Sequence, residues 1–123
     1  MKVHDWVWLR DSLRLRWSWD TLDVFQDNEE RLMLDSARGF TLDLRSRVAL
    51  RDGRVLASFD EIENFAIEGH DSDVGDRYRL FLARVGKCDI LIGETSRELD
   101  CSRLAARMST LTGKSVVARQ WLS

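Results

Sequence analysis

Only one stretch of this sequence carries the period of an amphipathic helix, and nearly everything before it carries the period of strands. Between Ser96 and Thr112 the apolar residues Cys101, Leu104, Ala105, Met108 and Leu111 recur at three- and four-residue steps, which places them on one helical face. Thr95 and Glu98 have capping-box spacing, and Gly113 supplies the residue type that ends a helix in the left-handed conformation. Burying such a stripe contributes about 1.5–3 kcal/mol per large side chain, so a helix over 96–112 is expected to dock on a sheet.

The sheet is written in alternation. Leu13, Leu15, Trp17 and Trp19 face one way while Arg14, Arg16 and Ser18 face the other. Residues 22–26 continue that strand or begin another, the polar group 27–30 makes a turn, and a short strand follows over 31–35. Phe40, Leu42 and Leu44 alternate with Thr41, Asp43 and Arg45, which predicts one fairly long strand to about Leu50. Asp52-Gly53 is a type I′ hairpin signal, since both residue types tolerate positive φ. The return strand holds Val55 and Ala57, a bend is expected near Asp60, and a strand resumes at about Ile62. A polar loop over 70–76 separates it from the alternation of Tyr78, Leu80 and Leu82, and Gly86-Lys87 turns that strand into another over 89–94. Val116 and Val117 supply a last edge strand.

Composition narrows the function classes. At 123 residues the chain is one domain's length, and no linker or repeat divides it, so 1–123 is expected to be a single domain. A net charge of −2 gives no whole-molecule attraction to nucleic acid, and no nucleic-acid partner is expected. The N-terminus lacks the apolar run of a signal peptide, and two cysteines in core-like positions suit a reducing compartment, so a cytoplasmic location is expected.

Chemistry-bearing patterns are sparse. The run Asp71-Ser72-Asp73-Val74-Gly75-Asp76 resembles a calcium loop only briefly, because Leu82 stands where the bidentate Glu belongs. His4 and His70 have no Cys or His at ligand spacing, and the glycines are scattered, so neither metal nor cofactor is expected. Cys101 lies on the apolar side of the helix, where a packed thiol is the ordinary outcome. No catalytic residue is assigned, and a small enzyme using Asp71, Asp73 and Cys101 is the third reading.

Two features point to binding. Trp6 and Trp8 with Arg10 begin a Trp/Arg-rich segment over 1–30, and Trp and Arg are the side chains enriched at protein contacts. Trp6, Trp8 and Arg10 are the partner-binding candidates. Arg38, Arg45 and Arg47 belong to a cluster with Arg51 and Arg54 around the central hairpins, and arginines can fork onto phosphate or carboxylate. They are the anionic-ligand candidates.

Over residues 31–117 the order of strands, the segment Phe59-Asp60-Glu61-Ile62 before a strand, and the closing helix resemble bacterial pleckstrin-homology-like domains. The resemblance implies an α+β, mainly β fold: a strongly bent antiparallel sheet or partly open barrel of six to seven strands, closed by one C-terminal helix. Arg38 followed by Arg45-Ser46-Arg47 is similar to the spaced basic residues of phosphoinositide-binding members, although Arg replaces the first Lys and the Trp of the C-terminal helix is missing. The leading expectation is a non-enzymatic protein-interaction module, with a protein partner or self-association as a homodimer. The alternative is a peripheral membrane or anionic-ligand binder using the arginine hairpin.

Overall fold

The computed structural model describes residues 22–34, 39–70 and 75–120. Trp6, Trp8, Arg10, the 13–19 alternation, Arg38, Asp71, Asp73 and Trp121 lie outside the described residues.

Strands β1 (Val24–Asp27), β2 (Arg31–Leu34), β3 (Thr41–Asp43), β4 (Val48–Arg51) and β5 (Arg54–Ser58) form an antiparallel meander, each beside its neighbour in sequence. The chain then passes through a single 3-10 turn, Phe59–Glu61, into β6 (Ile62–His70), β7 (Arg77–Arg84), β8 (Ile90–Thr95), helix α1 (Glu98–Thr112) and β9 (Ser115–Gln120). This second sheet has the order β8-β7-β6-β9, and β9 runs parallel to β6 at the edge. Among the described residues the fold is mainly β with one C-terminal helix, as expected. The described strands form sheets of five and four that do not close into a barrel, where the family resemblance implied one strongly bent sheet or partly open barrel of six to seven strands.

The division occurs at the bend expected near Asp60. The Ser58 N–H donates to Glu61 Oε1 at 2.8 Å, which fixes the turn and, with that bond as the first cause, lowers the Glu61 pKa. Phe59, the first residue of the turn, and Ile62, just after it, are buried. Leu32, Leu42 and Ala57 of the first sheet meet Phe65, Leu80 and Ile92 of the second and Cys101, Leu104 and Met108 of α1 in one shared core. Two arginines stitch the sheets together. Arg51 Nη2 donates to the carbonyls of Leu91 (2.8 Å) and Ile92 (3.1 Å), and Arg84 Nη1 donates to Leu56 O (3.2 Å).

The Asp52-Gly53 turn forms as expected, with φ of 53° and 75°, and Gly113 ends α1 at φ 76°. Two local expectations fail. The long strand from Phe40 to Leu50 breaks at Leu44–Arg47, because the Asp43 carboxylate accepts the N–H groups of Arg45 (3.0 Å) and Ser46 (3.1 Å) and folds the chain into a turn, with Arg47 at φ 56°. The helix begins two residues later than expected, with Arg97 rather than Thr95 as its N-cap. Thr95 is the buried last residue of β8, and its hydroxyl accepts the Arg97 N–H at 3.1 Å.

Candidate docking cleft

Among the described residues β1 is the outer strand of the first sheet, and one row of its backbone groups faces away from β2. Its pairing is irregular. Val24 opposes Leu34 and Gln26 opposes Met33, which leaves Phe25 as the extra residue of a β-bulge. A bulge turns a side chain out of the pleat, and Phe25 is 66% exposed beside Val24 at 48%. Asn28 Oδ1 accepts the N–H groups of Glu30 and Arg31 and closes the β1–β2 turn.

The strand is held to the helix by charge. Arg107 donates from Nε and Nη2 to the two carboxylate oxygens of Asp27, both at 3.0 Å, and this fork raises the Arg107 pKa further. Above the fork a groove of about 550 Å³ opens between β1 and the first turns of α1. Leu22 and Leu104 form its buried floor, and Asp23, Arg97 and Arg103 stand at its rim. Arg97 lies 3.8 Å from Asp100. Leu99 is 58% exposed one helical turn before Arg103. The groove therefore combines an apolar floor with charges of both signs, and it adjoins the outer strand of the described sheet, where Phe25 is exposed outside the groove lining. Such a surface can add an extended peptide by backbone pairing and select it by side-chain pockets.

A second hollow, about 370 Å³, lies on the outer face of the first sheet, lined by Arg31, Met33, Thr41, Asp43, Leu50 and Asp52. Arg31 stands directly across β2–β3 from Asp43, and its buried Nε has no hydrogen-bond partner. The Asp43 carboxylate is turned instead toward its own loop.

Protein-family models, curated proteins and solved structures offer no match to the chain. The residues themselves carry the functional reading.

Of the arginines singled out by sequence, Arg45 is exposed in the β3–β4 turn, while Arg47 stacks 5.2 Å from the Phe59 ring centroid and sits 4.0 Å from Asp60. Arg51 points the other way, into the bonds to β8, so Arg45, Arg47 and Arg51 do not share one face. Cys101 is fully buried, and burial, with the Glu98 charge second, pushes its thiol up to about 12. Among the described residues no group of three His, Cys, Asp or Glu side chains can hold a metal ion, and no helix is long and apolar enough to cross a membrane. Sequence reasoning missed Phe25 and Arg103. The only signal for Phe25 was two adjacent apolar residues, Val24 and Phe25, which a strictly alternating strand cannot turn to the same side.

Proposed function

We propose that this chain is a non-enzymatic, cytoplasmic protein-interaction domain that binds an extended segment of a partner protein along β1 and the adjoining groove. The observation that carries this reading is Phe25, displaced by the bulge and 66% exposed on the strand that is outermost among the described residues. An apolar side chain of the partner would lie on Phe25, and a partner carboxylate would meet Arg103. The buried, proton-retaining thiol of Cys101 supports the non-enzymatic part of the proposal, since the thiolate is the reactive form. The likeness to bacterial pleckstrin-homology-like domains belongs to the same proposal. Its support is the order of meander, bend, hairpin and helix, and the parallel β9 departs from it. The anionic-ligand reading has less support, because Arg47 is already engaged by Phe59 and Asp60.

Phe25→Asp tests the proposal. Truncating an aromatic anchor at an interface costs about 2 kcal/mol or more, a roughly thirtyfold loss of affinity, while a surface change of this kind alters stability by about 0.5 kcal/mol or less. Wild-type and variant chains are used as baits in parallel with Trp6→Ala/Trp8→Ala, and bound proteins are compared by mass spectrometry. A partner retained by wild type and lost with Phe25→Asp is expected. Identical partner sets for wild type and Phe25→Asp would exclude the cleft.

A further inference from the structure

We propose that the hollow on the outer face of the first sheet is a site for a free α-amino acid with an apolar side chain, whose carboxylate meets Arg31 and whose ammonium meets Asp43. The site shares no residue with the groove beside β1 and stands or falls independently of it. Leu32, Leu42 and Ala49 enter the core, so Arg31 and Met33 of β2, Thr41 and Asp43 of β3 and Leu50 of β4 stand on the other face. Register arranges them in two rows. Arg31 opposes Asp43, and in the adjoining row Met33 opposes Thr41 and Thr41 opposes Leu50. All of them line the hollow of about 370 Å³, together with Asp52 of the β4–β5 turn. That volume lies within the range of small-molecule clefts, at its lower end.

The polar row is an ion pair that does not form. Opposite charges directly across an antiparallel pair of strands attract one another, yet Asp43 Oδ1 accepts the N–H groups of Arg45 (3.0 Å) and Ser46 (3.1 Å) and is held in its own turn. Arg31 is half-buried, and its Nε is shielded from solvent with no hydrogen-bond partner. A charged donor left unmet in this way carries a desolvation penalty, which an acceptor supplied by a ligand relieves.

The distribution of donors and acceptors identifies the ligand. Thr41 donates its hydroxyl to the Gly39 carbonyl at 2.7 Å, which leaves its oxygen as an acceptor. Among the side chains of the hollow, the Arg31 guanidinium is thus the donor, while the Asp43 and Asp52 carboxylates and the Thr41 oxygen are acceptors. A plain anion on Arg31 would lie beside these carboxylates, and a plain cation on Asp43 would leave Arg31 unmet. A zwitterion answers both. An α-amino acid carries its carboxylate and ammonium on one carbon, a separation suited to side chains facing each other on strands about 4.8 Å apart. Met33 and Leu50 flank Thr41 in the adjoining row and give the ligand's side chain an apolar surface.

Amide NMR of the full chain titrated with L-leucine to about 10 mM, a range that reaches millimolar sites, is expected to show saturable shifts centred on residues 31–33, 41–43 and 50–53. Three analogues dissect the recognition. Isocaproate lacks the ammonium of leucine, isoamylamine lacks its carboxylate, and N-acetyl-leucine amide carries neither charge; each should bind roughly tenfold more weakly or worse, the usual loss when a charged hydrogen bond is removed. Arg31→Gln should weaken leucine binding to the same degree. Asp43→Asn should do so as well, and its side-chain carbonyl can still accept the Arg45 and Ser46 N–H groups, so the turn is kept. No saturable shift with leucine at these residues would overturn the proposal. So would an analogue that binds as tightly as leucine, or leucine binding left unchanged by Asp43→Asn. Should Arg31→Gln fail to fold, the analogue series on the wild-type chain and Asp43→Asn decide.

Discussion

Phe59→Ala should lower the unfolding free energy by about 3–5 kcal/mol, the range for deleting a buried aromatic ring and leaving part of its cavity, and should lower Tm by more than about 10 °C. Phe59 is 1% exposed and lies in the turn where the first sheet gives way to the second, so its ring is packed by both. It is also held from outside: the Arg47 carbonyl accepts its N–H at 2.9 Å and the Arg47 guanidinium lies over its ring. The change removes the core contact and the stacking partner together. Urea denaturation of Phe59→Ala beside Phe59→Leu measures it. The leucine variant, which keeps most of the volume, should lose about 1.5 kcal/mol or less. A loss under about 1 kcal/mol for the alanine variant, well below the range for a buried ring, would mean that the two sheets do not share a core at this residue.

Thiol labelling should separate the two cysteines by about a thousandfold or more. The Cys101 thiol, raised from 9.0 to about 12, holds roughly a thousandth of the thiolate of an unperturbed thiol near pH 8, and the residue is fully buried, while Cys88 is exposed. Iodoacetamide on the native chain followed by mass spectrometry should place the modification on Cys88, with Cys101 reacting only after denaturant is added. The same shift sets a pH dependence. Because the folded state holds the proton more tightly than the unfolded chain, the stability this group contributes is intact below its ordinary value of 9.0 and declines as pH rises from there toward about 12. Wild type should therefore lose more stability across that window than Cys101→Val. Equal labelling of both cysteines in the native chain would contradict the packing of α1 on the sheet.

What the sequence disclosed followed the range of the forces involved. The helix stripe and the Asp52-Gly53 turn were legible because each depends on neighbours within four residues, and Cys101, Leu104, Ala105 and Met108 are indeed buried. The break after Asp43 was hidden because the letters continue to alternate through Arg45. The deciding event is a side-chain oxygen capturing two backbone N–H groups, and only the residue type of Asp43 hinted at it. The parallel pairing of β9 with β6 joins residues about fifty positions apart, and no local pattern announces it. Thr95 has the spacing of a cap, but its burial at the end of β8 takes precedence. The candidate cleft was the least legible feature, because a bulge is a property of two strands in register and the alternation of one strand does not contain it.

The most direct test of the docking cleft is a photo-crosslinking amino acid placed at position 25 of the full chain, with position 45 in the exposed β3–β4 turn as the comparison, and illumination in the cell. The expected result is a discrete adduct with a partner protein from position 25 that is absent from position 45 and is lost when Arg103→Glu is added. No adduct from position 25, or the same adducts from both positions, would contradict it.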